Sequence, residues 1–250
     1  MIGVEERGGI AVARIEHGRV NALDTELLRE IATTMRGLGS AGAIVLTGQG
    51  AAFCAGVDLR RVVDGGAAYL GEFLPALNDA LLAVFDCPRP VVAAINGHAI
   101  AGGCVLACAC DVRLMSGGSI GLSELSVGVP FPNAAFEIVR HAAGPAAGEL
   151  MLTARLLDAA GAQARGLVHD IVAAEALLDE ATARARALAR IPAPVYASTK
   201  ERLHQPATER IAAGGAAEAR ALAGWRSPET LASISAFLDR LEARRRAATG

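Results

Sequence analysis

Apolar and polar positions divide the chain into two regimes. Residues 10–16 alternate well enough to form a strand with one covered face. Residues 43–47 (Ala-Ile-Val-Leu-Thr) are apolar almost throughout, the mark of a strand covered on both faces, and Gly48 and Gly50 end that run. Residues 91–95 predict a second buried strand and residues 112–115 a third. Helical spacing predicts helices over 25–38 and 70–85, the latter stopped by Cys87-Pro88-Arg89-Pro90. A short helix and a mobile loop are expected over 58–66. A Gly102-Gly103 turn opens another short helix through about residue 109. Helices over 134–141 and 145–152 come next, then a turn and short strand over 166–172.

The pattern changes after about residue 192. An Ala/Arg helix spans 175–190, Pro194 breaks it, and the remainder of the chain is helical without clear strands. Apolar positions 231, 234, 238 and 241 form one stripe. The expected organisation is an α/β core over 1–192 and a helical region over 193–250. Spacing alone does not separate a doubly wound sheet from a stacked spiral of short sheets.

At 250 residues the chain can bury a full core, and its side chains are 52% hydrophobic but only 4% aromatic. Such cores depend on close packing of aliphatics and alanines. Charge is balanced, with 24 Lys plus Arg against 26 Asp plus Glu, which argues against a nucleic-acid partner. The first residues lack a signal pattern, and no unbroken apolar run reaches the roughly 18 residues of a membrane span. A cytoplasmic protein without a membrane partner is expected. Cysteines 54, 87, 104, 108 and 110 sit among apolar neighbours without a Cys-x-x-Cys pair, so buried thiols are expected and no metal site. Arg244-Arg245-Arg246 reads as a solvated helix end.

Candidate chemistry gathers at two glycine turns and a carboxylate. Removing a proton beside a carbonyl creates an enolate, and two preorganised N–H groups aimed at the oxygen stabilise it. Val57, after the Ala55-Gly56 turn, and Gly102, opening the Gly102-Gly103-Cys104 helix, are the candidate donors. Glu124, in a Gly-Leu-Ser-Glu turn, is the candidate base. The run Gly37-Leu38-Gly39-Ser40-Ala41-Gly42 follows a predicted helix and precedes a strand, the reverse of a dinucleotide fingerprint, and no phosphate loop ending in Gly-Lys-Ser/Thr occurs, so neither nicotinamide nor ATP chemistry is indicated.

Residues 52–59 (Ala-Phe-Cys-Ala-Gly-Val-Asp-Leu), 92–103 (Val-Ala-Ala-Ile-Asn-Gly-His-Ala-Ile-Ala-Gly-Gly), 109–113 and 121–130 resemble the enoyl-CoA hydratase/isomerase (crotonase) superfamily. The similarity continues through 152–157 and 162–168, covering roughly residues 8–175. The resemblance implies an α/β spiral of repeated β-β-α units with a C-terminal helical region. It implies an acyl-CoA thioester substrate of lipid metabolism, with coenzyme A as part of that substrate and no separate cofactor. It also implies a homotrimer or a dimer of trimers. The N–H groups of Val57 and Gly102 would form an oxyanion hole. Main chain around Ala22, Ala52, Phe53 and Ala55 would line the coenzyme A site. C-terminal helices, including Phe237, would cover the cleft or pack on a neighbour.

One departure from the family pattern matters more than the match. Hydratases of the family carry a glutamate three residues after the oxyanion glycine and a second in the later Gly-x-x-Glu turn. Here the first position is Val105 and the second is Glu124. Hydration divides its proton transfers between two carboxylates, whereas moving a double bond needs one group that takes a proton and returns it. The arrangement resembles Δ3,Δ2-enoyl-CoA isomerases, with hydration or noncatalytic acyl-CoA binding as alternatives. An apolar pocket is expected to raise the Glu124 pKa. Glu137 is a rival base expected to be solvated or paired with Arg140. His98 and His141 are expected to be satisfied polar residues, Asp58 and Asp111 to bind local main chain, and Ser123 to serve the turn or orient Glu124. Ala67, Ala68 and Gly71 are candidate small residues of the acyl pocket.

Overall fold

A computed structural model describes the main chain of residues 1–249, and the side chains of all of these except 245, 248 and 249. The chain begins with β1 (Ile2–Glu6), β2 (Ile10–Ile15) and α1 (Thr25–Gly37). β1 pairs antiparallel with β2 and was not expected from the sequence, because its residues are half-buried or exposed and carry no apolar alternation. α1 starts where Asp24 accepts a 2.8 Å hydrogen bond from the Leu27 N–H.

Three β-β-α units come next. They are β3 (Ala43–Gly48), β4 (Ala52–Cys54) and α2 (Leu59–Phe85); β5 (Val91–Ile95), β6 (His98–Ile100) and α3 (Gly102–Cys108); and β7 (Val112–Met115), β8 (Ile120–Gly121) and α4 (Glu124–Val127). The first strand of each unit enters a six-stranded sheet, where β2, β3, β5 and β7 run parallel. The second strand of each enters a smaller sheet, where β4, β6 and β8 also run parallel. This is the expected spiral of repeated units.

The continuous apolar strands reflect cores on both sides of the large sheet. Ile44, Leu46, Val91, Ala93 and Ile95 face the core containing α1, α2 and α3. Their alternates Ala43, Val45, Val92 and Ala94 face Leu177, Ala181 and Ala185 from a later helix. Both pleat faces are therefore dry, and polar alternation is absent.

After α4 come α5 (Asn133–Ala143), a 3₁₀ turn, α6 (Ala147–Thr153), β9 (Leu156–Leu157), α7 (Ala159–Gln163), β10 (Asp170–Ile171) and α8 (Leu177–Leu188). The helices α9 (Ala193–Ala213), α10 (Gly215–Trp225) and α11 (Pro228–Thr249) complete the chain. Pro194 lies in the first turn of α9, where its missing N–H is tolerated. α2 is long and apolar enough to cross a membrane by those criteria alone. It is broken at Gly66, however, and Leu70, Phe73, Leu74, Leu77 and Leu81 are buried in the core. Its polar side meets α1 through Arg29–Glu72 at 2.8 Å and Arg36–Asp79.

The last helices lie on the chain's own core. Lys200 of α9 reaches Asp111 at 2.9 Å, and Asp111 also accepts from the Val91 N–H at 2.7 Å. Glu218 of α10 accepts from Asn78 Nδ2 at 2.8 Å and from the Asn133 N–H at 2.7 Å. Trp225 donates its indole N–H to the Pro130 carbonyl at 2.8 Å. α10 thus lies beside α5, and α11 packs on α2 and α4. Arg244 and Arg246 are exposed as expected of a helix end, while the side chain of Arg245 lies outside the described residues.

Candidate active site

Two turns meet where the small sheet gives way to helices. The segment after β4 is zipped to residues 20–23. The Ala55 N–H donates to the Val20 carbonyl at 3.0 Å, the Leu23 N–H to the Gly56 carbonyl at 2.8 Å, and the Asp58 N–H to the Leu23 carbonyl at 2.9 Å. Leu23 and Val57 thus form a parallel bridge in which Val57's own N–H points away from its partner. Asp58 then caps α2, accepting from the Arg60 and Arg61 N–H groups at 3.1 and 3.2 Å.

The second turn is Ala101-Gly102. Ala101 donates to the Gly121 carbonyl at 2.8 Å and accepts from the Val105 N–H at 3.0 Å. Gly102 is the first residue of α3, so its N–H has no acceptor within the helix. Each candidate donor follows a residue of positive φ: Gly56 at 85° before Val57, and Ala101 at 50° before Gly102. Such a residue rotates the next peptide plane out of the local run. The turns touch, since a methyl group on Gly56 would lie 2.6 Å from the Ile100 carbonyl oxygen and 3.5 Å from the Gly102 nitrogen. One on Gly103 would lie 2.1 Å from the Cys54 carbonyl oxygen, so glycine alone lets α3 press against β4.

Left-handed backbone is costly for alanine, and strain held at such a place is stored by the surroundings. Ala101→Gly should therefore leave the melting temperature unchanged or raise it, while loosening the peptide that carries the Gly102 N–H. A several-fold lower kcat with unimpaired thermal stability is the expected result. Unchanged kcat would show that Ala101 does not fix this peptide.

Glu124 opens α4 and is 7% exposed. Its carbonyl accepts the Gly128 and Val129 N–H groups, both at 3.0 Å, which closes the single turn and fixes the side chain's origin. The carboxyl takes a hydrogen bond from its own main-chain N–H, yet Oε2 is buried without a partner among the described residues. Burial outweighs that one hydrogen bond and pushes the pKa up to about 7. The expected shift is present, and its cause is desolvation.

A cavity of about 670 Å³ joins these groups. Val57, Gly102, Val105 and Glu124 form one part of its wall, and Leu77, Leu81, Val129 and Ala135 an apolar part. Trp225, Phe237, Leu238 and Leu241 close it from α10 and α11 of the same chain. Arg60, Glu242 and Arg244 also line it, with Arg60 and Glu242 paired. Among the described residues three carboxylates line the cavity; Asp58 caps α2 and Glu242 holds Arg60, while that of Glu124 is bonded to its own main chain alone.

Of the residues singled out in the sequence, Ala22, Ala55, Val57, Gly102, Glu124 and Phe237 line this cavity. Ala52 and Phe53 do not. They are fully buried in β4, and their carbonyls accept from Asn21 Nδ2 at 2.9 and 3.3 Å. Ala67, Ala68 and Gly71 are also absent from the wall, because they lie on the exposed face of α2, whose later turns bring Leu77 and Leu81 to it instead.

Glu137 is not solvated. It is 5% exposed and held by Arg210 at 2.5 Å and Arg140 at 3.4 Å, so its charge is answered away from the cavity. His141 packs against the Phe85 ring with a lowered pKa, chiefly from burial, and His98 accepts from the Ser119 N–H at 3.1 Å. The Ser123 side chain makes no capping bond; its carbonyl accepts from Ser126 and Val127. All five cysteines are buried free thiols. Sequence reasoning missed Asn21, Ala101 and Trp225. Positive φ at a non-glycine residue leaves no periodic signal, and Trp225 reaches the cavity only through tertiary packing.

A family model described as enoyl-CoA hydratase/isomerase matches residues 5–245. A probable enoyl-CoA hydratase of Rhizobium meliloti (strain 1021) is 32% identical over 222 residues, 84% of each chain. The crystal structure of human mitochondrial delta3-delta2-enoyl-CoA isomerase is similar with a TM-score of 0.90 and 26% identity, covering 97% of this chain and 98% of that one. The probable enoyl-CoA hydratase EchA3 of Mycobacterium tuberculosis H37Rv gives a TM-score of 0.83 at 28% identity, over 89% and 97% of the two chains. A match along nearly the whole sequence, on a fold of three β-β-α units whose turns meet beside a buried carboxyl, makes this chain a member of the enoyl-CoA hydratase/isomerase family.

Proposed function

We propose that the protein is an enoyl-CoA isomerase that moves the double bond of a 3-enoyl-CoA to the 2 position. The observation that carries this reading is the single uncommitted carboxylate in the cavity, with Val105 where a second would stand. Glu124 takes a proton from C2, and the C–H electron pair moves into the thioester as a dienolate. Its oxygen rests on the Val57 and Gly102 N–H groups. The same carboxyl then returns the proton to C4 while the C2–C3 double bond forms, so atoms and charge balance. A pKa of about 7 suits a group that must be base and then acid. Ala22 and Ala55 face the cavity where the thioester's pantetheine arm would pass, and Ala52 and Phe53 support that wall from behind. The overall likeness to the human isomerase supports the reading.

Hydration of a 2-enoyl-CoA is the second reading, favoured by the names of relatives such as the Rhizobium meliloti protein. It requires a second group to hold the water, and the position at which hydratases of the family carry one is Val105, a residue of the wall. Purified protein given 3-hexenoyl-CoA and 2-hexenoyl-CoA in parallel separates the two. Formation of 2-enoyl-CoA with negligible 3-hydroxyacyl-CoA is the expected result. Efficient hydration would overturn the assignment, and silence on both would leave another thioester reaction or a binding role.

A further inference from the structure

We infer that Asn21 is a positioning residue that sets where the Val57 N–H meets a thioester carbonyl, an inference that rests on the acyl-thioester reading of the cavity. Asn21 is 1% exposed and holds φ at 53°, a conformation that asparagine adopts more readily than other non-glycine residues. Nδ2 donates to three main-chain carbonyls: Gln49 at 3.1 Å, Ala52 at 2.9 Å and Phe53 at 3.3 Å. Oδ1 accepts from the His17 N–H at 2.9 Å, and the Asn21 N–H returns to the His17 carbonyl at 3.0 Å. Every polar atom of the side chain is therefore engaged with main chain, within a loop that itself contributes Val20 and Ala22 to the cavity.

The residues beside Asn21 do the complementary work. The Val20 carbonyl takes the Ala55 N–H, and Leu23 takes and gives the bonds that bracket Val57. The side chain at position 21 thus fixes the chain entering the oxyanion turn, through residues 49–53. Its flanking main chain fixes the chain leaving it, through residues 55–58. The left-handed twist at Asn21 lets one short segment do both. Glycine would keep the twist and lose the anchor. Aspartate would keep the shape and tolerate the twist, but sets an acceptor against three carbonyls. No contact of Asn21 reaches Glu124, so loss of the anchor should move the donor without touching the base.

The test uses hexanoyl-CoA labelled with ¹³C at the thioester carbon, a probe that can be neither isomerised nor hydrated. Difference infrared spectroscopy reads the carbonyl stretch on the wild-type protein and on the Asn21→Gly and Asn21→Asp variants. Wild type should lower the stretch on binding. Both variants should lower it less, with Kd changed by less than about threefold. In the turnover assay kcat should fall about tenfold or more with little change in KM, as for a donor displaced by a fraction of an ångström. The pH at which kcat/KM rises should stay where it is in wild type, because the base is unmoved.

A wild-type carbonyl shift in folded Asn21→Gly protein would overturn the inference and leave Asn21 a purely structural residue. If that variant fails to fold, the same reading on Asn21→Asp decides. Absence of a shift in wild type would overturn the inference together with the oxyanion reading. A wild-type shift without turnover of 3-hexenoyl-CoA would remove the isomerase proposal alone, and the spectra of the variants would still decide the role of Asn21.

Discussion

Replacing Glu124 by glutamine should lower kcat on 3-hexenoyl-CoA by about a thousandfold, within the range that general acid–base groups contribute, and should make the protein more stable at pH 8. Glutamine keeps the shape and can neither take nor return a proton, so the loss should fall on kcat more than on KM. In wild type, kcat/KM should rise with pH through about 7, because the proposed reaction starts from the carboxylate form. Residual activity in the variant within tenfold of wild type would remove Glu124 from the chemistry.

The stability gain comes from the same pKa. An unfolded Glu124 loses its proton near its ordinary value of 4.5, while the folded one keeps it until about 7. Between those values the native state binds more protons, so stability falls as pH rises. Above about 7 the accumulated cost is about 3 kcal/mol, for a pKa carried from 4.5 to about 7. Glutamine carries no such titration. The variant's melting temperature should therefore match wild type near pH 4 and exceed it increasingly toward pH 8. A gap independent of pH would mean that the buried carboxyl is not strained by desolvation. Oε2 without a partner is the structural sign of that cost: it leaves the oxygen free for substrate at the expense of the native state.

Much of the frame could be read from the chain. The runs at 43–47 and 91–95 announced strands dry on both faces, and the two cores that cover alternate residues of β3 and β5 explain why. The start of α1 was legible from its periodic apolar face, a local signal, and the structure adds the Asp24 cap. The smaller sheet was not legible. β4, β6, β8 and β9 are two or three residues long, too short for a period, and their pairing is decided by chain segments far apart in sequence. Glu124 and the two glycine turns were visible as motifs, whereas the burial that shifts Glu124 comes from packing. Ala52 and Phe53 are buried in β4, the Phe53 ring within the core, and both are tied through Asn21 to the loop that carries Val20 and Ala22 to the cavity.

Gly56→Ala should lower kcat by about a hundredfold or more, the scale seen when one oxyanion donor is lost. Two effects act together. At φ 85° an added Cβ is strained against its own backbone, and it would lie 2.6 Å from the Ile100 carbonyl oxygen. That oxygen cannot retreat freely, because the next residue, Ala101, is bonded on both sides, to Gly121 and to Val105. The methyl group would therefore wedge the Val57 turn away from the Gly102 turn, opening the space between the two proposed donors. Glu124 lies on α4, outside this contact, so the pH at which kcat/KM rises should remain near 7 although the rate has collapsed. The thioester carbonyl of bound hexanoyl-CoA should move back toward its solution frequency, while circular dichroism still reports the native fold. A folded Gly56→Ala protein that retains a third of wild-type kcat would show that the Val57 N–H is not a donor, and the enolate would then need another source of stabilisation in this cavity.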